Sequence, residues 1–157
     1  MLEACGELLN ERYNFDVVIA GKQNLDHIAA LNEIINKYCV CKKVHFIWQI
    51  DDIEKFVLMM KSKVYVIPSL NEGFGVGAQE ASILGEKTVS TDTGAHRELL
   101  GNKSYNIIVK PEDINDLKHA IILSLNSDKV MAKIDLKRLY EFLCDKISER
   151  ILRFFSS

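Results

Sequence analysis

The chain has 157 residues, which is enough for one domain with a substantial core and too few for two. Hydrophobic residues make up 48% and charged residues 27%, a composition that excludes intrinsic disorder. The formal net charge of -2 provides no strong positive field, so we expect no nucleic-acid partner. The sequence contains no apolar run that could span a bilayer, its N-terminus lacks the pattern of a signal peptide, and its four cysteines show no CxxC spacing. We therefore expect a soluble, cytoplasmic protein whose thiols are reduced and mostly buried.

Short apolar segments alternate along the chain with longer segments of helical periodicity. The predicted strands are 15–20, 44–48, 63–67, 87–90 and 105–109. Helices are predicted to begin near residues 25, 51, 76, 95 and 111, and a C-terminal helical extension is predicted at 130–155. Strands separated by helices indicate a parallel sheet covered on both faces, which is the doubly wound, Rossmann-like α/β class in a single domain. Such sheets bind ligands beyond the carboxyl ends of their strands.

The most informative segment, residues 68–80, follows a predicted strand and leads into a helix. Gly73 and Gly75 let backbone N–H groups approach a ligand at the start of that helix, which makes a cradle suited to phosphate. Two carboxylates flank the cradle, Glu72 and Glu80. An ionised carboxylate only accepts hydrogen bonds, and its two oxygens can each accept one from a pair of vicinal hydroxyls. The segment therefore predicts a ligand with phosphates between two polyols. A nucleotide sugar has that layout.

Other interpretations of this loop stay open from the residues alone. A glycine-rich turn between a strand and a helix is often only a tight connection, and two carboxylates are also the catalytic pair of a glycosidase. The glycines and the parallel sheet disfavour the glycosidase. The loop matches neither the P-loop pattern GxxxxGK(S/T) nor the dinucleotide fingerprint GxGxxG with a later acidic residue. The sequence has no cluster of metal-ligating residues, so we predict no metal site.

Several segments together form a more specific pattern: 69–75 with its EGFG turn, 80–81, 85–89, 91–94 and Glu98. With the Glu-x7-Glu spacing of Glu72 and Glu80, they resemble the donor-binding half of family 4 retaining glycosyltransferases, which have the GT-B fold of two Rossmann-like domains. The resemblance covers about residues 2–125. In that family the C-terminal domain binds the nucleotide sugar and the N-terminal domain binds the acceptor. The resemblance therefore implies that residues 1–157 are the donor-binding domain of a hexosyltransferase.

The resemblance implies a role for each matching residue. Glu72 would accept hydrogen bonds from hydroxyls of the donor sugar and is the candidate catalytic residue, and Glu80 would hold the ribose hydroxyls. The backbone amides expected to meet the sugar and the distal phosphate belong to Gly73, Phe74, Gly75 and Val76. The candidate contacts to the base or the phosphates are Gly21, Lys22, Gln49 and Ile50. Apart from the resemblance, His96 and Arg97 are further candidates because they lie near Gly94 on the ligand side.

The resemblance also implies a course for the reaction. Family members retain the anomeric configuration, and the leaving diphosphate helps to deprotonate the acceptor. Helix termini and basic side chains stabilise its charge, so we expect no cofactor and no metal beyond the nucleotide-sugar substrate. The chain opens at the helix after the family's first strand, and the Arg and Lys that clamp the diphosphate have no counterpart. We expect that strand to be missing, and we expect weak or no transfer without an acceptor-binding domain, missing or separate, which would also make any peripheral membrane contact.

Two alternatives assign the chain a different function. In the first, it is a truncated remnant that serves as a non-catalytic nucleotide-sugar-binding or scaffold module. In the second, it is a sugar-nucleotide epimerase of the same fold, which the Glu-x7-Glu spacing disfavours. The residues do not specify the nucleotide, the sugar or the acceptor, because base recognition in the family uses backbone groups.

Overall fold

The computed structural model describes residues 1–22, 25–101 and 103–127, and the predicted extension at 130–155 lies outside them. Helices and strands alternate in the described part in this order: α1 (Leu2–Asn10), β1 (Val17–Gly21), α2 (Leu25–Tyr38), β2 (Val44–Trp48), α3 (Asp52–Lys61), β3 (Tyr65–Ile67), α4 (Val76–Leu84), β4 (Thr88–Thr91), α5 (His96–Leu100), β5 (Ile107–Val109) and α6 (Ile114–Asn126). Every predicted strand is present, with ends that shift by at most two residues. None of these described helices is long and apolar enough to cross a membrane.

All strand pairing is parallel, which confirms the predicted α/β class. β1 lies beside β2, with Val17 opposite Val44 and Gly21 opposite Trp48. β4 lies between β3 and β5 in a second sheet. Among the described residues β1 does not pair with β3, so the structure has two parallel sheets. The two sheets separate between β1 and β3. In the doubly wound strand order, this is the position of a strand that precedes α1 in sequence.

Helix α1 joins the two sheets into one hydrophobic core. Its buried residues are Leu2, Ala4, Cys5 and Leu8. The strand residues packed in the same cluster are Val17 and Val44 from the first sheet and Val89 and Val109 from the second. α1 also packs beside α2 and α6. These three helices therefore form a continuous layer under both sheets.

The opposite face of the second sheet is covered by α3, α4 and α5. Alternate residues of a strand point to opposite faces of its sheet. In β3, Val66 packs against the core that contains α1, whereas Tyr65 and Ile67 pack in a second cluster with Met59 of α3 and Ala78 of α4. Helices therefore lie on both faces, which is the doubly wound arrangement that the alternation of segments predicts.

The cysteines differ in exposure. Burial raises the pKa of the Cys5 thiol to about 11, although the nearby N-terminal amine acts in the opposite direction. Cys39 and Cys41 are free and exposed, so the prediction of mostly buried thiols is wrong for them. They flank Val40 in the turn before β2, and Val40 takes the buried position, which leaves its two neighbours facing outward. Cys144 lies outside the described residues.

Replacing Leu8 by alanine tests whether α1 holds the two sheets together. We expect Leu8→Ala to lower the free energy of unfolding by roughly 2–5 kcal/mol, because it leaves a cavity in the shared core. Denaturant unfolding is followed by Trp48 fluorescence, which reports on β2, and by far-UV circular dichroism. A shared core predicts the same lowered midpoint with both probes. The control is Leu123→Ala at a 62% exposed site of α6, and a loss no larger than the control's contradicts the shared core.

Candidate functional site

Two loops meet at the carboxyl ends of β3 and β4, residues 68–75 and 92–95. Thr91, the last residue of β4, donates a hydrogen bond from Oγ1 to the backbone oxygen of Ser69 at 2.5 Å. Gly94 has a φ of 52°, and a Cβ built there would lie 2.5 Å from the backbone oxygen of Gly73. Only glycine fits both that backbone conformation and that contact, so Gly94 lets the two loops pack directly on each other.

Glu72 is held at both of its carboxylate oxygens. The hydroxyl of Ser69 donates to Oε1 at 2.8 Å, and the ring nitrogen Nε2 of His96 lies 2.9 Å from Oε2. The side chain of Glu72 keeps 29% exposure. An ionised carboxylate has about four acceptor positions. The acceptor positions that the described residues leave unused can therefore accept hydroxyl groups from a ligand.

His96 is fully buried at the start of α5. Its Nδ1 lies 2.7 Å from the hydroxyl of Ser90 and 3.0 Å from the backbone oxygen of Thr91, both in β4. A Cβ built on Gly75 would lie 2.5 Å from the ring, so the glycine makes room for it. The sequence offers His96 only as a weak candidate, because neither its burial nor its contact with Glu72 follows from its position after Gly94.

The start of α4 directly follows the loop 68–75. Gly75, the residue that precedes the helix, has a φ of 86°. In the described part of the chain no side chain caps this helix start, and its first turn holds no acidic residue. The neighbouring residues Gly73, Phe74 and Val76 are exposed. Uncapped N–H groups at a helix start attract anions, so this geometry suits a phosphate.

Glu80 lies one turn into α4 and is almost completely buried. Its Oε1 lies 2.7 Å from the Nζ atom of Lys55, which also contacts Asp52 at 3.0 Å. Burial alone would lower the pKa of Lys55, but its hydrogen bonds to the two carboxylates outweigh burial and raise the pKa. Burial, reinforced by the charge of Glu80, also raises the pKa of the Tyr65 hydroxyl. Glu80 and Lys55 therefore form an ion pair whose carboxylate is buried and whose ammonium group is partly exposed.

The four candidates for base or phosphate contacts lie at the carboxyl ends of β1 and β2. The backbone N–H of Gln49 donates to the backbone oxygen of Gly21 at 3.1 Å, which brings these two residues together. Gln49 has a φ of 60°, Lys22 is exposed, and Ile50 directly precedes Asp51, the N-cap of α3. The same helix, α3, places Lys55 beside Glu80. Helix α3 thus connects the four candidates for base or phosphate contacts with the site at α4.

Arg97 does not reach the carboxylates of this site. It is exposed and pairs with Asp92, at 3.1 Å from Nε to Oδ1 and 2.5 Å from Nη2 to Oδ2. Lys55, in contrast, is a site residue that the sequence did not reveal. Its partner is 25 residues away. No spacing within one element indicates such a contact, and the acidic start of α3 suggests only a helix N-terminus.

Taken together, these features define a class of protein: a parallel α/β domain with an uncapped helix start between two carboxylates at the carboxyl edge of its strands. Within residues 1–22, 25–101 and 103–127, no group of three or more His, Cys, Asp or Glu side chains is arranged to hold a metal ion. A family model described as "Glycosyl transferases group 1" matches residues 1–137. The chain therefore belongs to this glycosyltransferase family, as the resemblance implies.

Relatives agree with this assignment. The lipopolysaccharide core biosynthesis mannosyltransferase LpcC of Rhizobium leguminosarum bv. viciae is 27% identical over 118 residues, which are 73% of this chain and 33% of that protein. The chain thus spans about a third of the length of this relative. Among solved structures, the C-terminal domain of a group 1 glycosyl transferase (LpcC) from Francisella tularensis is similar to it, with a TM-score of 0.71, 20% identity and coverage of 89% of this chain and 75% of that one.

A second solved structure has a similar fold. Anabaena Alr3699/HepE, solved in complex with UDP, is similar with a TM-score of 0.74 and 18% identity, over 99% of this chain and 43% of that chain. At this identity the likeness establishes the fold alone. The described residues therefore have the domain fold of the GT-B glycosyltransferases.

Replacing Lys55 by methionine removes the cation beside a buried carboxylate. We expect Lys55→Met to lower the free energy of unfolding by about 1–3 kcal/mol, because Glu80 stays buried without its charged partner. Adding Glu80→Gln should restore part of the loss, since the amide carries no charge. Chemical denaturation of the wild type, both single variants and the double variant measures the coupling. Lys61→Met, at an exposed site of the same helix, is the control. Strictly additive effects of the two substitutions would contradict an interaction between Lys55 and Glu80.

The raised pKa of Lys55 predicts the pH dependence of the same pair. A cation whose pKa is raised on folding stabilises the protein below its ordinary pKa, here 10.5, and loses that contribution as the pH rises through the raised value. We therefore expect the stability that depends on Lys55 to be fully present at neutral pH and to disappear only in alkaline solution. Urea denaturation of the wild type and Lys55→Met over a pH series measures this difference.

Proposed function

We propose that this domain binds a nucleotide-diphosphate sugar and is the donor-binding half of a retaining glycosyltransferase that transfers a hexose to an acceptor. One observation carries the proposal: α4 begins without a side-chain cap among the described residues, and Glu72 and Glu80 flank its start in the sequence. A diphosphate suits the helix start, and the carboxylates suit hydroxyl groups on either side of it. Family membership supports glycosyl transfer as the reaction.

Each part of the donor has a proposed partner. Glu72 accepts hydrogen bonds from the sugar, and the backbone amides of residues 73–76 contact the sugar and the distal phosphate. Glu80 accepts hydrogen bonds from the ribose while it keeps its ion pair with Lys55. The base lies against Gly21, Lys22, Gln49 and Ile50.

The proposed reaction needs the protein to position the donor and to stabilise charge. The bond between the anomeric carbon and the diphosphate breaks, and the acceptor oxygen bonds to the same face of that carbon. The acceptor's proton passes to the leaving diphosphate. The helix dipole of α4 stabilises the developing charge, and we propose that the nucleotide sugar is the substrate and that no separate cofactor takes part.

Printed names of relatives support the substrate class. The mannosyltransferase relative supports a hexose as the transferred sugar. The UDP complex of Alr3699/HepE supports a nucleoside diphosphate as the leaving group. We propose that a second domain, in the same polypeptide or in another one, binds the acceptor. The free thiols of Cys5, Cys39 and Cys41 support a reducing, cytoplasmic location.

Titration calorimetry with UDP-glucose, UDP-GlcNAc, GDP-mannose and ADP-glucose tests donor binding. We expect one donor to bind with a Kd between micromolar and millimolar, and Glu80→Ala to weaken both this donor and its nucleoside diphosphate about tenfold or more, because the ribose loses a charged acceptor. Glu33→Ala, at an exposed site of α2, is the matched control and should bind like the wild type. A folded wild-type protein that binds none of the four donors would contradict the proposal.

A further inference from the structure

The buried imidazole of His96 has no role in the donor contacts proposed above. We propose that His96 is a positioning residue that orients the carboxylate of Glu72 for the hydroxyl groups of the donor sugar, and that Ser90 of β4 anchors its ring. This inference rests on the proposed function, because it assigns a cause to the orientation of one donor-binding group.

The hydrogen bonds define the direction in which His96 acts. An ionised carboxylate only accepts, so Nε2 of His96 must carry the proton that bonds to Glu72 at 2.9 Å. In the neutral ring Nδ1 is then an acceptor, and the hydroxyl of Ser90 can donate either to it at 2.7 Å or to the backbone oxygen of Thr91 at 3.1 Å. In the protonated ring Nδ1 instead donates to Ser90 or to the backbone oxygen of Thr91 at 3.0 Å. The bond from Nε2 to Glu72 is present in both states.

Packing prevents the ring from turning away. His96 is fully buried, and every residue of β4 is buried. On the other side of the ring lies Gly75, where a Cβ would come within 2.5 Å of Cδ2 and 2.6 Å of Nε2. The imidazole therefore fills the space that a side chain at Gly75 would need, and the strand provides a rigid support.

The two partners of Glu72 together set the plane of its carboxylate. Ser69 holds Oε1 from within the same loop, whereas His96 holds Oε2 from the neighbouring loop. Without His96, one oxygen keeps a partner and the group can rotate about that contact. A carboxylate that is held in place before the ligand arrives binds it without a further ordering cost. Loss of His96 should thus weaken contacts to the sugar and leave contacts to the nucleotide unchanged.

Two amide substitutions separate orientation of Glu72 from a merely structural role. In His96→Gln the side-chain nitrogen can take the place of Nε2 and donate to Glu72. In His96→Asn the shorter amide reaches only the position of Nδ1, beside Ser90. Both variants remove the ring and keep a polar amide, so a structural role would affect them alike. Thermal unfolding measures how much stability each variant retains.

Calorimetry with UDP against UDP-glucose, and with GDP against GDP-mannose, measures the gain in affinity that the sugar contributes. We expect His96→Asn to reduce this gain about tenfold with unchanged nucleoside diphosphate binding, and His96→Gln to retain most of it. Ser90→Ala leaves His96 in place and should give an intermediate loss, and it serves as the test if His96→Asn does not fold.

Equal losses in the two amide variants, or equal losses for the sugar nucleotide and the nucleoside diphosphate, would overturn the role of His96 and leave the proposed function standing. A wild-type protein that binds the diphosphates but gains nothing from the sugar would overturn the role of His96 together with that of Glu72. Failure of the wild type to bind any of these ligands would overturn the proposed function itself, and this inference with it.

Discussion

The burial of one face of α1 against both sheets is the constraint on which the rest of the structure depends. The candidate contacts at Gly21 and Gln49 come from the first sheet, whereas Glu72, Glu80 and His96 follow strands of the second. The described strands of the two sheets share no ladder, so their relative position is maintained by the helices packed across them. Lys55 adds a second connection, because α3 leads out of the first sheet and reaches Glu80 in α4.

The candidate site is ordered by the protein's own polar contacts. Ser69 and His96 hold Glu72, and Lys55 holds Glu80. The groups that remain available, the exposed backbone at 73–76 and the unused acceptor positions of Glu72, therefore sit on a framework whose partners are already in place. Sites of this kind bind and react efficiently because little ordering is left for the ligand to impose.

Local patterns predict the elements of this fold well, and long-range contacts explain what they miss. Strands such as 44–48 are apolar and β-branched, and the helices between them have a clear period, so their positions follow from neighbouring residues. The glycines at 73 and 75 likewise predict a turn before a helix. The contacts of Glu72 with His96 and of Glu80 with Lys55 join residues 24 and 25 positions apart, and no local spacing encodes them. The donor-binding roles of the two carboxylates stay predictions until a ligand is measured.

The reactivity of the Cys5 thiol reports whether α1 is packed against the two sheets. Its thiol is buried and its pKa is raised to about 11, so at neutral pH it is both shielded and protonated, and alkylating reagents reach it only when the helix detaches. Cys39 and Cys41 are exposed and can be blocked beforehand under native conditions. The alkylation rate of Cys5 then reports how often α1 leaves the core that the two sheets share.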